Sequence, residues 1–253
     1  MCIRDSINID DKNAKYMVQN TSAKVYSYSL KSKSNFSSRI IEQQLNGMLL
    51  SIESSEIWTK LIGKFNASNL LAIYSVGKLY NIDKIKLLTA ISTLESVVGR
   101  LQSFLSTNKV TVIVDYAHTP NALKTALKSL RLHSQGRLIL VFGAGGDRDP
   151  SKRYLMGQVA AEFSDVAFLT DDNPRNENPS EIRAMILAGA PNAIEVPDRA
   201  EAILRAVDYL QAGDVLLIAG KGHESGQVIG NDTLPFDDVE QASIAVAALT
   251  GVS

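Results

Sequence analysis

The sequence Leu-Ile-Leu-Val-Phe-Gly-Ala-Gly-Gly-Asp-Arg-Asp at positions 138–149 joins an apolar run to a loop of glycines and charged residues. A short continuous apolar run is typical of a strand buried on both faces, as in a parallel sheet. Helical spacing follows the loop, with apolar positions at Leu155, Met156, Val159, Ala160 and Phe163. The stretch therefore predicts a strand, a loop and a helix in succession.

The same succession precedes this stretch. Residues 110–114 are apolar and end at Asp115, and Thr119 and Pro120 suit the N-cap and first turn of a helix. The inward face of that helix is predicted to carry Leu123, Ala126, Leu127 and Leu130.

The succession also continues downstream. Strands are predicted at 166–169, 194–196 and 215–219, followed by a hairpin of residues 228–229 and 233–236. Helices are predicted from Asn178 to near Gly189, from Asp198 to Gly213 and over 237–249, the second with Ile203, Leu204, Val207 and Leu210 inward. We therefore predict an α/β fold, a Rossmann-like, mostly parallel sheet with helices on both faces.

Residues before 99 have a different sequence pattern. Mixed β-branched and polar stretches at 25–30, 48–52 and 56–62 predict antiparallel strands, and 69–79 and 82–94 have helical spacing. The opening, residues 1–6, has no apolar periodicity and is left out of the fold prediction. Two domains are predicted, 1–98 and 99–253.

Composition limits the class of protein. The chain is 45% hydrophobic and 21% charged, and its net charge of −1 gives no general attraction to nucleic acid or to an anionic membrane. No apolar run approaches the roughly 20 residues of a membrane-spanning helix. The single cysteine and three dispersed histidines predict neither a disulfide framework nor a metal site. We expect a cytoplasmic monomer.

Four predicted loops concentrate polar residues and glycines: 115–120, 143–149, 170–175 and 219–224. In open α/β sheets such loops meet at the carboxyl ends of the strands, where ligands bind. Arg148 and Arg175 suit carboxylate or phosphate groups, and Asp172 and Glu224 suit an ammonium group. Together they predict a site for a zwitterionic amino acid with additional charged groups.

Each loop also has a purely structural interpretation. Residues 143–146 could form a tight turn, and they lack the third glycine of the dinucleotide pattern G-x-G-x-x-G. Asp172-Asn173-Pro174 is ordinary turn chemistry, and residues 221–224 could be a solvated loop. The joint placement of the loops at strand ends favours the functional interpretation.

Four of these motifs resemble those of a known family. DYAHTP at 115–120, GGDRD at 145–149 followed by Lys152-Arg153, DNPR at 172–175 and AGKGHE at 219–224 have the order and approximate spacing seen in Mur ligases. FNASN at 65–69 and Gly99-Arg100 resemble further family motifs. The resemblance covers nearly all of 63–248 and is greatest to the family members that add diaminopimelate.

The resemblance implies a ligase that forms an amide bond at the expense of ATP, with Mg²⁺. In this reaction the D-glutamate side chain of a UDP-linked muramoyl dipeptide is phosphorylated, and the amine of diaminopimelate then displaces phosphate. It implies a diaminopimelate site at Arg148, Asp172, Asn173, Pro174, Arg175, Gly220 and Glu224. It implies nucleotide contacts at Asn66, Asn69, Arg100, Asp115 and His118, with no general-base role for His118.

The sequence departs from the family pattern in one respect. The family's phosphate loop, magnesium ligands, modified lysine and amino-terminal domain are expected before residue 65, and no Gly-Lys-Ser or Gly-Lys-Thr occurs in the chain. We therefore expect residues 1–98 to be an incomplete piece of the central ATPase domain and the chain alone to lack ligase activity. The alternatives are a free-standing amino-acid-binding module, a nucleotide-binding oxidoreductase domain and a folylpolyglutamate synthetase-like ligase.

Overall fold

The structure is a computed structural model that describes residues 4–97, 99, 101–105 and 110–250. The chain divides into two compact units, Met1–Glu95 and Ser96–Ser253, each treated separately below. The sequence places the division slightly later, between residues 98 and 99. No helix in the described ranges is both long enough and apolar enough to span a bilayer.

The first unit is a five-stranded sheet with three helices. Its strands, in the spatial order β1-β2-β3-β4-β5, are Arg4–Asn8, Lys24–Ser29, Phe36–Gln44, Gly47–Ile52 and Ser55–Thr59. The helices are α1 (Ala14–Met17), α2 (Lys64–Leu79) and α3 (Lys84–Thr93). Alternate residues of β4, Met48, Leu50 and Ile52, are buried with the α2 residues Ala67, Leu70, Leu71 and Tyr74, which makes the core of this unit.

The prediction of antiparallel strands is correct only for part of this unit. β3, β4 and β5 are antiparallel, but β1 pairs in parallel with β2, and β2 with β3. β1 was not predicted, because its sequence is mostly polar. Its polar side chains form tertiary hydrogen bonds with α2, between the hydroxyls of Ser6 and Ser75 (2.9 Å) and from Nδ2 of Asn8 to the Ser68 hydroxyl (3.2 Å). Periodicity carries no signal for such bonds.

The second unit has the predicted α/β architecture. A six-stranded sheet has the order β10-β9-β8-β11-β7-β6, and all neighbouring strands are parallel except β6 and β7. The strands are β6 (Gln102–Leu105), β7 (Thr111–Asp115), β8 (Leu138–Phe142), β9 (Val166–Leu169), β10 (Ile194–Glu195) and β11 (Val215–Ala219). A separate hairpin joins β12 (Gly226–Ile229) to β13 (Asp232–Pro235), as predicted.

Five helices flank this sheet: α4 (Pro120–Arg131), α5 (Ser151–Phe163), α6 (Pro179–Leu187), α7 (Arg199–Asp208) and α8 (Asp238–Thr250). The predicted helix starts are confirmed by capping hydrogen bonds. The side chains of Thr119, Asn178 and Asp198 accept from the backbone N–H groups of Ala122, Ser180 and Glu201. These bonds satisfy donors that the first turn of a helix leaves unpaired.

Two apolar helix residues are exposed, and the prediction that one of them, Leu204, faces inward is wrong. Leu155 is 47% and Leu204 51% accessible to solvent. On α7 the buried stripe is formed by Ala202, Ile203, Ala206 and Val207, so Leu204 falls beyond its edge. A continuous apolar run does not reveal which side of the helix faces the sheet.

Asp214 joins the starts of β8 and β11, the two central strands. Its Oδ1 accepts from the backbone N–H of Arg137 (2.7 Å), and its Oδ2 accepts from the Arg137 guanidinium and from the Gln211 N–H. Burial alone would raise the pKa of Asp214, but these hydrogen bonds outweigh it and lower the pKa below its ordinary value. The ionised carboxylate therefore stabilises the folded unit.

We expect Asp214→Asn to lower the free energy of unfolding of the second unit by about 1–3 kcal/mol at neutral pH, because charged hydrogen bonds are lost. Because the folded pKa is depressed, this contribution is present above the unfolded pKa and is lost as pH falls through the folded pKa. The variant should therefore lose less stability than the wild type on acidification. Hydrogen exchange of Val215–Ala219 measures the effect, and Asp208→Asn on the exposed face of α7 is the control.

Candidate functional site

A cavity of about 270 Å³ opens at the carboxyl ends of the parallel strands of the second unit. Its wall comes from the loops after β7, β8, β9 and β11, as the sequence predicts. The lining residues are Tyr116, His118, Thr119, Gly145, Arg148, Asp149, Lys152, Asp172, Asn173, Arg175, Gly220 and Glu224. Six of the seven residues predicted for the amino-acid site therefore face one cavity, and Pro174 does not line it.

Hydrogen bonds to backbone carbonyls hold the loop after β8 against the loop after β9. The Gly146 N–H donates to the Asn173 carbonyl (2.8 Å), and Nη1 of Arg175 donates to the Gly146 carbonyl (2.9 Å). A Cβ atom at Gly146 would lie 1.9 Å from the Pro174 carbonyl oxygen, so only glycine allows this approach. Pro174 thus contributes through its backbone.

The backbone of Arg175 is in the left-handed region, with φ of 52°, and is hydrogen-bonded to the β12–β13 hairpin. Its N–H donates to the Val228 carbonyl (3.0 Å), and its carbonyl accepts from the Gly230 N–H (2.7 Å). Within the described residues only Nη1 of its guanidinium makes hydrogen bonds, to the carbonyls of Gly146 and Asn173. The remaining nitrogens can therefore donate to a bound carboxylate.

Arg148 is less constrained. Its side chain is exposed, and Nη1 donates to the Asp147 carbonyl (3.1 Å). It lines the same cavity as Arg175 and can reorient towards a ligand.

Acidic groups occupy the wall near β11. Asp172 is buried, and its Oδ1 accepts from the Asn173 N–H (2.7 Å). Nδ2 of Asn173 donates to Oε2 of Glu224 (2.8 Å). Gly220, with φ of +120°, passes so close that a Cβ there would lie 2.7 Å from Oδ2 of Asp172. These carboxylates can accept from an ammonium group.

Two lysines without a predicted role, Lys152 and Lys221, also belong to the site. Lys152 lines the cavity and donates to the His118 carbonyl (3.1 Å), and burial is the main factor that lowers its pKa. Lys221 is fully buried and donates to Oδ1 of Asn173 (2.8 Å), so residues 221–224 are not simply a solvated loop. Desolvation lowers the pKa of Lys221, and Asp172 opposes this shift. Charge alone gave no signal that distinguished these lysines from surface lysines.

Aromatic rings form another part of the wall. The Tyr116 ring lies 4.5 Å from the His118 ring and 5.2 Å from the His223 ring, measured between centroids. Nδ1 of His118 lies 2.8 Å from the Tyr116 carbonyl, a contact that requires the proton on Nδ1. His118, predicted to contact a nucleotide, thus lines the same cavity as Arg148 and Arg175.

Nucleotide contacts are also predicted for Asn66, Asn69, Arg100 and Asp115. Both carboxylate oxygens of Asp115 accept backbone hydrogen bonds, from the N–H groups of Leu101 and Ala117 (2.9 Å each). Asn66 and Asn69 lie on α2 of the first unit, and Asn66 donates to the Ile62 carbonyl (2.8 Å). Arg100 lies outside the described residues.

The charges on the cavity wall are balanced. Arg148, Lys152 and Arg175 are cationic, and Asp149, Asp172 and Glu224 are anionic. Such a wall suits a molecule that carries both ammonium and carboxylate groups. The residues that the structure describes include no group of three or more His, Cys, Asp or Glu placed to hold a metal ion.

Comparison with known proteins gives the family. A profile described as "Mur ligase, glutamate ligase domain" matches residues 99–222, and one described as "Mur ligase middle domain" matches residues 5–77. Two curated relatives are named UDP-N-acetylmuramoyl-L-alanyl-D-glutamate–2,6-diaminopimelate ligase. The protein from Phocaeicola vulgatus is 47% identical over 240 residues, and that from Cytophaga hutchinsonii is 42% identical over 238.

These alignments cover 92% of this chain and 50% and 49% of the two relatives, so the chain spans about half their length. A solved structure of a protein with the same name has a TM-score of 0.68 and 34% sequence identity. That match covers 98% of this chain and 54% of the other. The two profiles together match more than half of the sequence, in the two units that the fold separates. The chain therefore belongs to the Mur ligase family.

Proposed function

We propose that the cavity of the second unit binds diaminopimelate, and that the chain is the amino-acid-binding part of an ATP-dependent ligase of peptidoglycan synthesis. The ligase would join diaminopimelate to UDP-N-acetylmuramoyl-L-alanyl-D-glutamate. The observation that carries the proposal is the convergence of three cations and three carboxylates, from three loops and the first turn of α5, on one cavity of about 270 Å³. The choice of diaminopimelate is supported by the relatives, which are named as 2,6-diaminopimelate ligases.

Diaminopimelate has two amino-acid groups, each with an ammonium and a carboxylate. Arg175 is assigned to one carboxylate, because within the described residues only Nη1 of its guanidinium makes hydrogen bonds. Arg148 is also assigned to a carboxylate. Asp172, Glu224 and the Gly220 carbonyl are assigned to an ammonium group, with Asn173 fixing the loop between them. Lysine lacks the second carboxylate, so it would leave a guanidinium unpaired.

In the proposed reaction, transfer of the γ-phosphoryl group of ATP to the D-glutamate carboxylate makes an acyl phosphate. The amine of diaminopimelate attacks the carbonyl carbon, the C–O bond to phosphate breaks, and the amine loses a proton. The contribution of this chain is to hold and orient that amine, since positioning supplies much of the rate in such reactions.

ATP contacts are proposed for Asn66, Asn69, Arg100, Asp115 and His118, and Mg²⁺ would accompany the nucleotide. Cytoplasmic localisation and a monomeric state are proposed as well.

Calorimetric titration of the 253-residue protein should give tighter binding of diaminopimelate than of lysine. Arg175→Ala should weaken diaminopimelate binding about ten- to a hundredfold, because a charged hydrogen-bonding partner is lost, and should weaken lysine binding less. Arg205→Ala, which removes an exposed guanidinium from α7, is the matched control and should bind as the wild type does. Equal or tighter lysine binding by the wild type would refute the assignment of Arg175.

Gly146→Ala should weaken diaminopimelate binding at least about tenfold, since its methyl group must force the Pro174 carbonyl away and separate the two loops. Gly77→Ala in the first unit is the control, because its Cβ would meet only the flexible side chain of Leu87. Circular dichroism should show that both variants keep their secondary structure. Unchanged affinity in a folded Gly146→Ala protein would contradict the proposed role of this contact.

A further inference from the structure

Lys221 is a buried cation placed immediately behind the proposed ammonium site. None of its side chain is exposed, and its Nζ lies 2.8 Å from Oδ1 of Asn173 and 3.5 Å from Oε2 of Glu224. It does not line the cavity, so it is not placed to touch a ligand there. A buried ammonium is costly unless it is paired, which indicates that its contacts with these two residues organise the site.

The contact with Lys221 determines which way the Asn173 amide faces. An ammonium group only donates hydrogen bonds, so the group that faces it must be the amide oxygen. The same oxygen also accepts from the Val228 N–H (3.0 Å). The amide NH₂ is then directed to Oε2 of Glu224, at 2.8 Å.

Glu224 is consequently held through one oxygen. Oε2 is engaged by Asn173 and by Lys221, and in the described part of the chain no hydrogen bond involves Oε1. The side chain is 32% exposed and lines the cavity. Oε1 can therefore accept from a guest ammonium while Oε2 is fixed.

Lys221 lies among charged groups of both signs. Lys221 interacts with the carboxylates of Asp172, Glu224 and Asp238 and with the guanidinium of Arg199. Arg199 and Asp238 form a fully buried pair with two hydrogen bonds of 2.7 Å. Lys152 also interacts with Asp172, so these three carboxylates are matched by three cations.

We propose that Lys221 is a positioning residue that, through Asn173, fixes the Glu224 carboxylate for the ammonium group of the incoming amino acid. The inference rests on the proposed function for the identity of that amino acid, but the Lys221–Asn173–Glu224 arrangement itself does not require a ligand. The two parts can therefore be tested separately.

The first test uses the ligand-free wild-type protein and NMR of its nitrogen-bound protons. The Lys221 ammonium and the Asn173 side-chain amide should exchange slowly with water, and Lys221 Nζ should show a coupling to Asn173 Cγ across the hydrogen bond. Lys221→Met should shift the Asn173 amide and speed its exchange, and Lys128→Met on the exposed face of α4 should not. A rapidly exchanging Lys221 ammonium, or an Asn173 amide unaffected by Lys221→Met, overturns the proposal.

The second test is a double-mutant cycle on diaminopimelate affinity. Lys221→Met and Glu224→Gln should each weaken binding about tenfold, and the double variant should be only slightly weaker than either, because Lys221 acts through Glu224. A double variant about a hundredfold weaker than the wild type would show independent action and overturn the positioning role. If the wild type binds no diaminopimelate while the NMR result is as expected, the proposed function fails and the internal arrangement stands.

Discussion

The shared direction of β7, β8, β9 and β11 is the constraint on which the site depends. These four strands pair in parallel with one another, so all four end at one edge of the sheet. Polar residues separated by more than a hundred positions in sequence, such as Tyr116 and Glu224, are thereby brought to one cavity. An antiparallel arrangement would send alternate loops to opposite edges and disperse these groups.

Convergence of strand ends brings the loops near one another, and close backbone contacts then set their geometry. Gly146 and Gly220 allow neighbouring backbone or carboxylate atoms to approach where a side chain would not fit. Arg175 reinforces the same seam by donating to the Gly146 and Asn173 carbonyls. The guanidinium thus supports the protein with one nitrogen and offers the others to a ligand, a division of roles that a lysine could not reproduce.

Buried arginines form ion pairs with acidic residues close to these loops. Arg199 pairs with Asp238, and Arg153 pairs with Glu177 while also donating to the Gly145 carbonyl. Arg183 connects Asp171 with Glu195. Removing charges from water is costly, and such pairs are weak evidence of a stability gain. Two of these arginines also hold backbone groups, since Arg153 donates to the Gly145 carbonyl and Arg199 to the Ala219 carbonyl. The Arg199–Asp238 pair in addition interacts electrostatically with Lys221.

The sequence alone determined the α/β class of the second unit, its buried strands and most of its helix starts, because apolar runs, amphipathic spacing and capping residues are local signals. The same reasoning placed Arg148, Asp172, Asn173, Arg175, Gly220 and Glu224 at one edge, since strand polarity follows from the alternating pattern. Only the tertiary structure decided the parallel pairing of the polar strand β1, the exposure of Leu204 and the burial of Lys221. Each of these depends on partners distant in the chain. The pairing of β1 depends on the neighbouring strand, the exposure of Leu204 on which side of α7 meets the sheet, and the burial of Lys221 on carboxylate and amide groups from other loops. Local sequence does not encode such partners. A lysine that becomes buried in the folded protein therefore cannot be distinguished from an exposed lysine by its sequence neighbours.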